Sequence, residues 1–133
     1  DKIFTIEIMK GLSKGAKKNY LFLKNNGILR SNMKFIYGDG FKGYPRKVKY
    51  DRIIATCGSN NTYPTALGEQ LKEGGILLIP IKKLEGDRVI EEKVHRFIKK
   101  DGLIEEDSTY MPMDVRFVKY DEHPEITEFV KIG

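Results

Sequence analysis

Residues 50–81 carry three segments in close succession: Tyr50-Asp51-Arg52-Ile53-Ile54-Ala55-Thr56, then Cys57-Gly58-Ser59-Asn60-Asn61, and finally Gln70-Leu71-Lys72-Glu73-Gly74-Gly75-Ile76-Leu77-Leu78-Ile79-Pro80-Ile81. The first and last contain short apolar runs rich in β-branched residues, the pattern of largely buried strands. Between them Pro64 suits the first turn of a short helix whose buried side includes Leu67 and Leu71, and Gly74-Gly75 is expected to end it. Two strands bridged by a helix pair in parallel, because a crossover of that length returns the chain to the same end of the sheet.

The pattern extends in both directions. Upstream, Ile3 to Ile8 reads as a buried strand. Leu12, Ala16, Tyr20 and Leu23 then fall on one face of a helix closed by Asn26-Gly27, with Lys14, Lys17, Lys18 and Lys24 opposite. Met33 to Tyr37 is a second strand, broken by Gly38-Asp39-Gly40, and residues 38–49 have room for one short turn. Downstream, the turn signals Glu85-Gly86-Asp87 and Lys100-Asp101-Gly102 flank strands over Arg88–Lys99 and Leu103–Tyr110. A last run, Val115 to Tyr120, precedes a polar tail. The expected class is α/β, a mostly parallel sheet with antiparallel carboxyl-terminal strands. Residues 1–82 form the parallel region and residues 83–133 an extension of the same domain.

With 133 residues and 40% hydrophobic content the chain suits one core. Its apolar runs, such as Ile76 to Ile79, fall far short of the roughly 20 residues of a membrane-spanning helix, and no secretion signal is evident. The single Cys57 fits a reducing cytoplasm. Although the formal charge is +5, the lysines are interspersed with acids. The one basic group, on the first helix, reads as a solvated face and no nucleic-acid partner is expected. Glu91-Glu92 and Glu105-Glu106-Asp107 lack metal-ligand spacing, and no metal is expected.

Ligands of open parallel sheets bind beyond the carboxyl ends of the strands. Glu7 ends the first strand, where a carboxylate can accept both hydroxyls of a ribose; it equally suits a surface charge at a helix start. Asp39, between two glycines, can accept the exocyclic amine of an adenine while a neighbouring N–H meets the ring; a turn also favours this composition. Thr56 to Asn61 offers hydroxyls, amides and a thiol that line either a substrate pocket or a plain loop. Cys57 reads as a small buried residue more than a nucleophile, since neither His95 nor His123 is near it in sequence.

Together these segments become more specific. Gly38-Asp39-Gly40-Phe41-Lys42-Gly43-Tyr44-Pro45, Tyr50 to Thr56, and Gln70 to Ile81 resemble three consecutive signature segments of the protein-L-isoaspartate O-methyltransferases. Val115-Arg116-Phe117-Val118 resembles the strand that closes that family's fold. The resemblance covers most of residues 3–119. It implies a Rossmann-like, S-adenosylmethionine-dependent methyltransferase fold, with residues 1–82 the donor-binding part. It makes Glu7, with Ile8 beside it, the ribose contact and Gly38, Asp39 and Gly40 the adenine contacts. Thr56, Cys57 and Ser59 fall to the acceptor side. The implied reaction transfers a methyl group to the carboxylate of isoaspartyl residues in damaged proteins, leaving S-adenosylhomocysteine. No catalytic acid or base is assigned, because the carboxylate is already ionised near neutral pH and the sulfonium leaves without a proton.

The chain departs from the family pattern in two ways. The family's glycine-rich loop for the methionine part of the donor, and a serine-bearing acceptor segment before it, precede the first strand and are missing here. So is a strand expected between those ending at Glu7 and Thr56. With neighbouring strands about 4.8 Å apart, its loss leaves unpaired edges on both sides. The chain is therefore expected to be a fragment, inactive alone, or to receive the missing strand from another polypeptide, or to have rearranged ends. Second, Cys57-Gly58-Ser59-Asn60-Asn61 replaces small apolar residues, and Lys119-Tyr120 follows the closing strand in place of proline and leucine. These leave two alternatives open: a carboxyl methyltransferase with another peptide acceptor, or a non-catalytic half-domain that binds a partner.

Overall fold

The computed structural model describes residues 2–44, 47–118, 120 and 123–133; Pro45 and Lys119, named above, lie outside them. The chain divides into two compact units, residues 1–40 with 123–133 and residues 41–122.

In the first unit, strand β1 (Lys2–Glu7) leads into helix α1 (Lys10–Asn25) and strand β2 (Asn32–Tyr37). β1 and β2 pair in parallel from Lys2↔Asn32 to Glu7↔Tyr37, as strands joined through a helix do. The helix is present, but only the second half of its apolar stripe, Tyr20 and Leu23, is covered. Ser13 and Tyr20 are its buried residues, whereas Leu12 is 58% exposed and Ala16 is also exposed. Tyr20 anchors the helix to the strand that follows. Its ring packs against Phe35 with centroids 5.5 Å apart, its hydroxyl donates to Ser31 O at 2.9 Å, and it accepts the Met33 N–H at 3.3 Å. That amide bond, aided by Lys24, holds the phenol below its usual pKa. The tail contributes a strand, β9 (Val130–Lys131), antiparallel to β2, where the sequence promised only a polar end.

The second unit holds β3 (Tyr50–Ile54), β4 (Ser59–Asn60), helix α2 (Thr65–Glu69), β5 (Leu71–Glu85), β6 (Arg88–Lys100), β7 (Leu103–Glu106) and β8 (Met113–Asp114). The sheet order is β3-β5-β6-β7, with β4 added to β5 and β8 to β6. β3 and β4 run parallel to β5, and β6, β7 and β8 are antiparallel additions, as the turn signals imply. Pro64 caps α2, but the helix ends earlier than Gly74-Gly75 suggests. The strand has already begun at Leu71. Gly74 takes a φ of +76°, so the chain kinks within the strand and the register against β3 jumps from Tyr50↔Leu71 to Arg52↔Ile76. Val115 to Val118 forms no ladder; Val118 O instead accepts the Gly58 N–H and Tyr120 N–H donates to Gly58 O.

The core lies on one face of this second sheet. Leu77, Ile79 and Ile81 alternate toward it with Phe97 from β6 and are covered by Leu67 of α2, Leu71, Tyr63 and Ile104. The opposite face carries Ile54, 69% exposed, in register with Leu78. Among the described residues β1 pairs only with β2, and β3 only with β5, so each presents one edge with no strand partner. No helix among the described residues is long and apolar enough to cross a membrane.

Candidate functional site

The first unit brings the proposed adenosine-binding residues to one end of two adjacent parallel strands. Glu7 closes β1, and the Gly38 N–H donates to Glu7 O at 3.0 Å, so the ladder runs into the Gly38-Asp39-Gly40 turn. The Glu7 carboxylate is half-buried and accepts the Met9 N–H at 2.9 Å, ahead of α1. This bond orients the side chain at the mouth of the helix, and a carboxylate with about four lone-pair positions retains capacity for two hydroxyl donors. Ile8 is half-buried in the connection that follows.

Asp39 is only 2% exposed. The glycines beside it act differently from one another. At Gly38 the space a side chain would fill is taken by the Phe129 ring, with Cε1 at 2.9 Å and Cγ at 3.3 Å from an ideal Cβ, so this glycine serves packing from the tail. At Gly40 a Cβ would meet Ile6 at an ordinary 3.6 Å. Phe129, in a tail with no sequence signal beyond one aromatic, is a residue that sequence reasoning missed.

The second unit places the acceptor-side candidates in the loop joining β3 to β4. Thr56 is exposed and Cys57 half-buried, while Ser59 is buried and donates from Oγ to Thr62 O at 2.5 Å. Ser59 thus fixes the turn. Asn61, at φ 60°, accepts the Leu84 N–H on Oδ1 at 3.0 Å. Gln70, buried, pins the preceding loop: Oε1 accepts Tyr44 N–H at 2.9 Å and Nε2 donates to Val48 O at 3.0 Å. The sequence reading also missed Lys82, 8% exposed, whose side chain crosses Gly58. Its signal was a charge directly after the apolar run that ends at Ile81. No group of acids, histidines or cysteine able to hold a metal exists among the described residues.

The protein-L-isoaspartate(D-aspartate) O-methyltransferase family model matches residues 1–123. The chain belongs to that family. Curated protein-L-isoaspartate O-methyltransferases are similar to it. One from Staphylothermus marinus is 36% identical over 108 residues, covering 76% of this chain and 44% of the relative. One from Thermococcus sibiricus is 45% identical over 80 residues, covering 60% and 34%. The chain therefore spans less than half the length of these relatives. Among solved structures, a Plasmodium falciparum protein described as a protein-L-isoaspartate O-methyltransferase, in complex with S-adenosyl-L-homocysteine, superposes with a TM-score of 0.69. It covers 92% of this chain and 53% of that one at 22% identity, which establishes the methyltransferase fold.

Proposed function

We propose that this chain is part of an S-adenosylmethionine-dependent protein-L-isoaspartate O-methyltransferase that repairs damaged proteins in the cytoplasm. In this reading residues 1–82 are the donor-binding region and residues 83–133 an extension of the same domain. The observation that carries it is the register of β1 and β2, which ends Glu7 beside the Gly38-Asp39-Gly40 turn. Two acids at neighbouring strand ends fit an adenosine: Glu7 would take the ribose hydroxyls and Asp39 the exocyclic amine, with Ile8, Gly38 and Gly40 completing the wall.

The donor supplies an activated methyl group on a sulfonium. One oxygen of the acceptor carboxylate forms a bond to the methyl carbon as the carbon–sulfur bond breaks. The electron pair stays on sulfur, and the products are a neutral methyl ester and a thioether. No proton moves, so the protein's task is to align the two partners and exclude water. Thr56, Cys57 and Ser59 mark the loop assigned to the acceptor, with Ser59 acting through the turn it holds.

The full-length gene product should transfer radiolabelled methyl to an isoaspartyl peptide and leave the aspartyl control unlabelled. Residues 1–133 alone are expected to transfer none, since no residue here is assigned to the methionine part of the donor. Equal labelling of both peptides would point to a carboxyl methyltransferase with another acceptor. Absence of labelling together with absence of S-adenosylhomocysteine binding would make it a non-catalytic partner-binding protein.

A further inference from the structure

The carboxyl-terminal tail reaches the end of the first unit where Glu7 and Asp39 lie, and it falls beyond residues 1–123, the part that carries the family's pattern. β9 pairs Val130 with Tyr37 and Lys131 with Ile36, so it lies on the side of β2 that β1 leaves open. Two further bonds fix it: the Ile132 N–H donates to Phe35 O at 2.9 Å, and Lys17 Nζ of α1 donates to Ile132 O at 2.5 Å. One step along the antiparallel register from Tyr37↔Val130 sets Phe129 opposite Gly38. The ring stands there, its Cε1 2.9 Å and its Cγ 3.3 Å from where a Cβ of Gly38 would be, and Gly38 is buried.

Covering a strand edge takes only backbone, and any residue at position 129 except one that blocks pairing would serve it. A ring laid on Gly38 does something else. Gly38 is the link between the two acids assigned to adenosine: its N–H donates to Glu7 O at 3.0 Å, and Asp39 follows it directly. Glycine has more backbone freedom to lose than any other residue, so the spacing of Glu7 and Asp39 is held only as firmly as Gly38 is held. The Glu7 carbonyl restrains Gly38 from β1, and the Phe129 ring fills the side where another residue would carry its own Cβ. We propose that Phe129 is a positioning residue for the methyl donor: packed on Gly38, it keeps Asp39 in the arrangement that meets the adenine. The inference rests on the methyltransferase reading above.

The test measures S-adenosylhomocysteine affinity of the full-length gene product by calorimetry, for Phe129→Ala and Phe129→Leu, each with and without Asp39→Ala. If loss of the ring leaves the turn in its binding arrangement about a tenth of the time, affinity falls about tenfold, because apparent affinity scales with the competent fraction. Phe129→Leu, which keeps part of the apolar cover, should lose less. Donor KM should rise with the Kd while acceptor KM and kcat at saturating donor stay within about twofold, a split that a general loss of structure would not give. In the Asp39→Ala background no carboxylate is left to position, so Phe129→Ala should cost less than about twofold there. A Phe129→Ala Kd within about twofold of wild type, in a protein that melts normally, overturns the proposal. So does an equal loss with and without Asp39. Should Phe129→Ala melt below the assay temperature, Phe129→Leu is read in the same cycle with the same outcomes. A wild type that binds no S-adenosylhomocysteine would refute the methyltransferase reading and this role together, whereas tight binding indifferent to Phe129 would refute this role alone.

Discussion

Replacing Asp39 by alanine is the sharpest test of the donor half. Asp39 is 2% exposed, between buried Gly38 and half-buried Gly40, so its carboxylate has already given up most of its water in the folded protein. A ligand amine that donates to it therefore gains a charge-assisted bond without a further desolvation cost on the protein side. Such bonds contribute about 1.5–3 kcal/mol, and at about 1.4 kcal/mol per factor of ten the expected loss of S-adenosylhomocysteine affinity is roughly tenfold to a hundredfold. Calorimetry on the full-length gene product gives the number, and a thermal melt of each variant separates binding from folding. Asp39→Asn keeps the shape and one acceptor oxygen, so its loss should be smaller, about threefold to tenfold. A Kd for Asp39→Ala within twofold of wild type, in a protein that melts normally, would refute the assignment. A collapse of the melt in both variants would make Asp39 a structural acid of the turn.

Two further outcomes concern the second unit. Leu77 is fully buried among Leu67, Leu71, Ile79 and Phe97, so Leu77→Ala should lower unfolding free energy by about 2–5 kcal/mol in urea titration, whereas Leu103→Ala, at an exposed position, should change it by less than about 1 kcal/mol. Asp107 is held below its usual pKa chiefly by the hydroxyl of Thr109 at 2.6 Å and its amide at 3.0 Å, with Arg96 adding to the effect. Because the folded pKa is depressed, this stabilisation is present above the ordinary carboxylate value of about 3.9 and is lost as pH falls through the folded one. Asp107→Asn should therefore melt lower than wild type at pH 7, with the gap closing at strongly acidic pH; a gap constant across that range would contradict the linkage.

The order of elements was legible because it depends on local chemistry. β-branched runs such as Tyr50–Ile54 and Ile76–Ile81, punctuated by Gly38, Pro64 and the Asp101-Gly102 turn, specify strands and breaks through backbone preference and burial alone. The strand-end acids Glu7 and Asp39 were visible for the same reason. What the sequence left open was every choice made by a partner distant along the chain. Tyr20 alone of the α1 apolar stripe was buried, because Ser31, Met33 and Phe35 met it there, while Leu12 and Ala16 stayed exposed. The polar tail became a strand because β2 had an edge to offer, and it set Phe129 against Gly38. Ser59 was drawn into its own turn, and Lys82 was laid across Gly58. Composition and periodicity determine which residues seek burial or hydrogen bonds; which partner satisfies each of them is decided by competition among groups that only the folded chain brings together.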